Sequence, residues 1–471
     1  MIVSSRALAV LDQHRVPYEL DPAAGLPGFG RLRAERDGGA ELLWAESTAP
    51  AGFYSFLGVP FVGSLATSEE LDRAKAGRSF DEGAEITTVD GTSVATVLHG
   101  ADGSVLVPFD PDELIWGTLS ERYARLLWSR RLESARQAYY ALRGVLPRRL
   151  QMALRRRYAR TQGRAIFPSW PAETRLHGVL SWLLAQIETV AGEPLPWIAP
   201  WPDGARWSFV LTHDVERRPG YEFVDRVLEV ERVAGVRSAW FFVPERDYVV
   251  GDERVAGLVA DGFEVGVHGL RHDGHDLDPR TFDERLPAMR SYAERWGAVG
   301  FRSPSTLRDW DRMPKTGFDY DSSYADVARY EPLPGGTCTW WPFFIGNLVE
   351  LPITLPMDHT LFELLGEDES GWIEKIALLK RRGGMALMLT HPDYLRRRLE
   401  EYQRVLDHVA SDESVWHALP REVAQWWRAR AASVLVRDGH DGGWTVQGPA
   451  AARGRVAFGL DRAGNGAPGP S

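Results

Sequence analysis

Two histidines four residues apart close an apolar run, Phe263-Glu-Val-Gly-Val-His268-Gly-Leu-Arg-His272. An acidic pair ends an earlier run, Phe209-Val-Leu-Thr-His-Asp214-Val-Glu216, and a third run ends in a further histidine, Met385-Ala-Leu-Met-Leu-Thr-His391-Pro392. Two imidazoles and a carboxylate hold a divalent cation while leaving coordination positions open for water and substrate, the arrangement of a hydrolytic metal site. Alone, a His-x-x-x-His pair is as well explained by two structural histidines. The groups at the other strand ends change that reading. Asp214 and Glu216 lie two apart, so a continuing strand turns both to one face and His213 to the other. One carboxylate is then available to bind metal while the other acts on water. The competing account of the pair is an acidic strand end capping the next helix. His213 is expected to pack behind the site.

Such residues need a scaffold that gathers strand ends. From about Trp207 the sequence repeats a short apolar run followed by an amphipathic helical pattern. The runs are Trp207 to Thr212, Ala239 to Val243, Phe263 to His268, Val299 to Arg302, Leu348 to Ile353 and Met385 to Leu389. Continuous apolar strands alternating with helices predict a parallel sheet covered on both faces, with polar residues at the strand ends forming the catalytic rim of a barrel.

The reading divides the chain into a mixed α/β domain at 1–118, an arginine-rich helical and Trp/Pro-rich connector at 119–204, and a (β/α) barrel at 205–430. A small β appendage at 431–460 and a disordered tail at 461–471 follow. In the first part, Val94 to Val107 reads as a hairpin with Asp102-Gly103 at its turn. Arginine clusters at Arg130-Arg131, Arg148-Arg149 and Arg155-Arg156-Arg157 read either as a solvated helical face or as a peripheral contact with anionic membrane or a phosphorylated carrier.

Composition narrows the chemistry. With 471 residues, a formal net charge of -10 and 44% apolar residues, the chain is expected to be globular and not a nucleic-acid binder. Its single cysteine, Cys338, excludes an internal disulfide and zinc sites built from several thiolates, so any metal must use His and carboxylate. No signal peptide and no membrane span is read, which predicts the cytoplasm. The first 165 residues carry no phosphate loop, nucleophile elbow or dinucleotide fingerprint.

Five segments from about Trp207 to Arg428 resemble, in order, motifs of the polysaccharide deacetylase family, also called the NodB-homology or carbohydrate esterase family four domain. They are Thr212-His-Asp-Val-Glu216, His268-Gly-Leu-Arg-His272, Phe301-Arg302-Ser-Pro304, Gly317-Phe-Asp-Tyr-Asp321-Ser-Ser323 and Leu389-Thr-His391-Pro392. The resemblance covers about half the chain. It implies a deformed (β/α) barrel and a metal-dependent hydrolase, with zinc the expected divalent ion, that removes N-acetyl groups from a sugar or glycan precursor. It also implies roles: Glu216, His268 and His272 as metal ligands, Asp214 as general base, Arg302 orienting that base, and His391 as the acid protonating the leaving amine.

The metal carboxylate of the family is usually aspartate. Glu216 is one methylene longer, so either the loop adjusts to it or Asp214 binds the metal and the base is missing. Two other functions stay open: a non-sugar amide or cyclic imide hydrolase on the same fold, and a binding protein with a decayed site. Three further expectations concern neighbouring residues. Asp321 would support Arg302 through a buried ion pair, His275 reads as a surface loop residue, and Trp310, Trp340 and Trp341 stack on sugar or pack in the core.

Overall fold

The protein is described by a computed structural model covering residues 2–34, 39–127, 148–163, 165–438 and 443–459. The Arg130-Arg131 cluster, residues 439–442 of the β appendage and the tail at 461–471 lie outside the described residues. The chain forms two compact units that interleave in sequence. One comprises 1–129, 173–204 and 429–471, the other 130–172 and 205–428.

In the first unit a nine-stranded sheet runs in the order Glu19–Leu20, Ile2–Ser4, Phe29–Ala34, Glu41–Ala45, Val105–Val107, Ser93–Gly100, Phe80–Thr88, Gly52–Phe56, Val59–Gly63. Ser93–Gly100 and Val105–Val107 are antiparallel, and Gly103 takes φ 85° in the turn between them, a conformation glycine adopts without steric cost. The helix Arg175–Ala191 buries its apolar stripe (Leu176, Val179, Leu180, Leu183, Leu184, Ile187) against this sheet. Later in the chain Val434–Arg437 pairs antiparallel with Trp444–Gln447, and Val456–Phe458 pairs with Pro196–Ile198.

The second unit is built on a curled half-barrel sheet. Its order is Phe343–Ile345, Leu348–Glu350, Tyr320–Asp321, Gly300–Phe301, Glu264–Val267, Ala239–Phe242, Trp207–Val215, Met385–Thr390. All neighbours are parallel except the hairpin of the first two. Helices Val224–Ala234, Asp252–Ala260, Phe282–Trp296, Ser370–Arg381 and Leu399–Ala410 alternate with the strands. The backbone nitrogens of Thr354 and Leu355 donate to the Leu387 carbonyl, 3.3 and 3.0 Å, and so tie the last strand to the segment following Leu348–Glu350.

Every residue of Trp207–Val215 is buried, as a strand covered on both faces requires. Tyr320–Asp321, Phe343–Ile345 and Val415–His417 were not expected. At two or three residues they are too short for any apolar period to register. No helix among the described residues is long and apolar enough to cross a membrane.

Among the interior ion pairs of this unit, Lys375 Nζ lies 2.8 Å from Asp326 Oδ2, both side chains buried. Removing one partner strands a charge in the interior, at a cost of about 3–5 kcal/mol. Urea unfolding of Lys375→Met is expected to show a loss of that order, largely recovered when Asp326→Leu is added. A single variant as stable as the wild type would mean the pair contributes nothing.

Candidate metal centre

Strand alternation assembles the site. In Trp207–Val215 and the residue after it, Thr212, Asp214 and Glu216 share one face and His213 takes the other. His213 is buried behind the sheet. Its Nε2 lies 2.6 Å from Glu231 Oε1, its Nδ1 2.8 Å from Thr390 Oγ1, and its ring stacks on Trp240.

His268 follows the strand Glu264–Val267. Its Nδ1 hydrogen donates to the Arg302 carbonyl at 3.0 Å, which leaves the Nε2 lone pair facing inward. That Nε2 is buried and has no hydrogen-bond partner. Burial lowers the imidazole to a pKa of about 4, so it is neutral at ordinary pH.

His272 is brought back to the site by a tight turn in which Gly269 takes φ 63° and His272 itself φ 55°. A side chain at Gly269 would collide with Asp276 and Pro304, so only glycine fits there. Asp276 Oδ2 accepts from the Leu270 nitrogen at 3.0 Å, and Arg285 donates to Asp276 and Asp273 at 2.8 and 2.6 Å, fixing the loop between the two histidines.

Glu216, His268 and His272 each offer a ligand atom, and the three atoms lie within 4.8 Å of one another. Glu216 Oε1 is 2.9 Å from His272 Nε2 and 3.6 Å from His391 Nε2. Burial opposes ionisation of Glu216, but the neighbouring imidazoles together outweigh it, His272 first and then His391 and His268. Its carboxyl is therefore held well below the usual range. An ionised carboxylate, a neutral imidazole with an unengaged nitrogen and a second imidazole fit a divalent cation of the zinc type.

Asp214 and Arg302 form the next layer. Arg302 is buried; its Nη1 lies 3.4 Å from Asp214 Oδ1, and its Nη2 donates to Ser322 Oγ at 2.9 Å and Thr212 Oγ1 at 3.2 Å. Asp214 Oδ2 is 3.6 Å from His268 Nε2.

The expected ion pair between Asp321 and Arg302 is not formed. Asp321 accepts from the nitrogen and hydroxyl of Ser323 at 3.0 and 2.9 Å, and Ser322 meets the guanidinium instead. Glu350 sits beside Asp321. Burial and the neighbouring Asp321 hold it well above the usual carboxyl range.

A partner that sequence reasoning missed is Asp358, fully buried at the end of the Leu-Pro-Ile-Thr-Leu-Pro-Met run. Its Oδ1 lies 2.7 Å from His391 Nδ1 and its Oδ2 accepts from the His391 backbone nitrogen at 2.6 Å. Burial works against a charged His391, but Asp358, with smaller help from Glu216 and Asp214, raises it to about 10. The signal available was a carboxylate closing an apolar run beside His359, and nothing local in the sequence ties it to His391.

His275 lies in an exposed loop 3.8 Å from Asp278. Trp340 and Trp341 are buried, and Trp310 stacks on Phe343. None of these tryptophans lines the cavity of about 80 Å³ that Asp214, Glu216, His272 and His391 share.

Fold and site together define an α/β protein with a curled parallel sheet and a candidate metal centre at its strand ends. No family model and no curated protein matches the sequence. Solved structures do match, and their neighbours include polysaccharide deacetylases and carbohydrate esterase family four members. A protein assigned as a polysaccharide deacetylase from Mycobacterium smegmatis is 22% identical, TM-score 0.41, over 49% of this chain and 93% of its own. The Puue allantoinase is 19% identical, TM-score 0.40, over 49% and 93%. The chitin deacetylase of Colletotrichum lindemuthianum is 14% identical, TM-score 0.30, over 47% and 88%. At that level the likeness assigns no role to any residue, and the site rests on its own side chains.

The His391 contact makes stability depend on pH. Its folded pKa of about 10 lies above the ordinary 6.5, so its contribution is fully present below 6.5 and is lost as pH rises through 10. In Asp358→Asn, measured without metal, the His391 titration followed by NMR is expected to drop by more than one unit. The stability deficit against wild type should be largest at about pH 6.5, where the contribution is fully present, and shrink toward pH 10. An unmoved His391 titration would show that Asp358 does not set its charge.

Proposed function

We propose that this protein is a metal-dependent amide hydrolase that removes N-acetyl groups from a sugar or glycan precursor. The observation that carries the reading is the buried, unpartnered Nε2 of neutral His268, grouped with Glu216 and His272 and faced by Asp214 and His391. Glu216, His268 and His272 are the proposed ligands. A divalent cation held there, zinc by its preference for this donor set, would supply Lewis-acid chemistry by polarising an amide carbonyl and acidifying water.

The remaining steps belong to the chain's own groups. Asp214, oriented by Arg302, takes a proton from the water whose oxygen bonds to the acyl carbon. His391, protonated through its contact with Asp358, gives a proton to the nitrogen as the C–N bond breaks. Acetate and a free amine result, with one water consumed. Assigning the metal to Glu216 leaves Asp214 as base, and the contacts support this division: Glu216 meets both His272 and His391, while Asp214 is engaged by Arg302.

A second reading is favoured by the size of the cavity, about 80 Å³ with no tryptophan in its lining. Tyr394 is the one phenolic ring in that lining, which suits a small non-sugar amide or cyclic imide better than a sugar sandwiched between several aromatic rings.

Metal analysis with acetate release from N-acetylated sugars and small amides tests both readings. Wild type is expected to hold one equivalent of zinc. Asp214→Asn should keep the metal and lose about 10²- to 10⁴-fold in rate. Equal rates would remove Asp214 as base. Stoichiometric zinc with no amide cleaved would leave a binding protein with a decayed site, and cleavage of non-sugar amides alone would select the second reading.

A further inference from the structure

One lining residue of the cavity comes from outside the barrel repeat. Arg155 lies on the helix Arg148–Gln162, and it borders the same space as Asp214, Glu216, His272 and His391. The helix is held in place at several points. Arg156 donates from Nε and Nη2 to the Glu363 carbonyl at 3.3 and 3.0 Å, Gln162 Nε2 donates to the Glu331 carbonyl at 3.4 Å, and Arg329 donates to the Ala165 carbonyl at 2.7 Å just beyond the helix. The helix thereby packs on His359–Leu365.

Arg155 itself meets His359, with Nη1 3.3 Å from Nε2. A guanidinium only donates, so His359 accepts there and does not neutralise the charge. Among the described residues Arg155 forms no ion pair. Glu331, a buried carboxyl on the same cavity, feels the Arg155 and Arg308 charges, but it accepts the Thr360 hydroxyl at 2.8 Å, and burial is the larger effect and raises its pKa. Ring contacts run from His359 to Tyr394 (5.3 Å between centroids) and from Tyr394 to His391 (5.5 Å). The cavity therefore holds the carboxylates and imidazoles of the candidate metal centre together with a guanidinium that is in no ion pair among the described residues. A fixed arginine fork in a small polar cavity is the usual receptor for phosphate or carboxylate oxygens.

We infer that Arg155 binds an oxyanion on the substrate, phosphate or carboxylate, so that the protein acts on an amide bearing such a group and not on a neutral polymer. The substrate class rests on the hydrolase reading, but the anion site does not, and the two fail separately. Isothermal titration of inorganic phosphate into full-length protein freed of metal is expected to show binding that weakens at least tenfold in Arg155→Gln, partly returns in Arg155→Lys, and is unchanged in Arg157→Gln. Undetectable binding in wild type, or equal binding in Arg155→Gln, overturns the anion site.

On metal-loaded protein, acetate release from N-acetylglucosamine 1-phosphate or from N-acetylmuramic acid should exceed that from N-acetylglucosamine at least tenfold, through KM, and Arg155→Gln should abolish the preference. The arm that gains separates phosphate from carboxylate. Equal rates on charged and neutral sugars would sink the substrate class while sparing the hydrolase. No acetate from any substrate, with Arg155-dependent phosphate binding intact, would sink the hydrolase and spare the anion site.

Discussion

The arrangement of the site depends on keeping one buried imidazole uncharged. His268 sits where water cannot solvate a cation, and its Nδ1 hydrogen is committed to the carbonyl of Arg302 on the neighbouring strand end. Both facts favour the neutral ring with its free lone pair pointing inward. The same carbonyl belongs to the residue whose guanidinium holds Asp214. One inter-strand contact therefore couples the orientation of a candidate ligand to that of the candidate base. The serines after Tyr320–Asp321 complete the coupling, since Ser322 receives Arg302 and Ser323 Oγ accepts from the Ser303 nitrogen at 2.8 Å.

How much of this was legible follows from how local each signal is. Asp214, Glu216, His268 and His272 could be read from sequence because strand period and a four-residue spacing bring them together within short segments. The structure groups Glu216, His268 and His272, with Asp214 and His391 on the same cavity. Asp358 could not be found that way. It meets His391 across 33 residues, with only an apolar run to mark it. Arg155 was noticed as one of a cluster, but nothing in an arginine run says which member turns to a cavity more than 50 residues away in sequence. Asp321 shows the opposite error. Carboxylate beside guanidinium suggested an ion pair, yet a second buried carboxyl, Glu350, competes for it, and a neutral serine hydroxyl is the cheaper buried partner for the guanidinium's remaining hydrogens.

The place of a glutamate at position 216 can be argued from reach. Glu216 lies just past the end of the strand Trp207–Val215, where the backbone has left the ladder that fixes Asp214. Its longer side chain brings Oε1 to 2.9 Å from His272, itself set in a left-handed turn after Gly269. Extra length and a tight histidine turn thus compensate one another. The ionised Glu216 beside His272 holds the two groups together before any cation arrives, which lowers the ordering cost of binding one.

The charge on His391 bears on how a C–N bond could break here. An amide nitrogen leaves only as a protonated amine, and a side-chain amine in water has a pKa of about 10.4. A donor near pKa 7 would hand its proton to such a group strongly downhill but would be half deprotonated at rest. Asp358 raises His391 well above its ordinary value, so the ring is protonated throughout the physiological range and has a proton to give. Asp358, buried and bonded to both the ring and the backbone of His391, is the group that holds that proton in place for transfer to the leaving nitrogen.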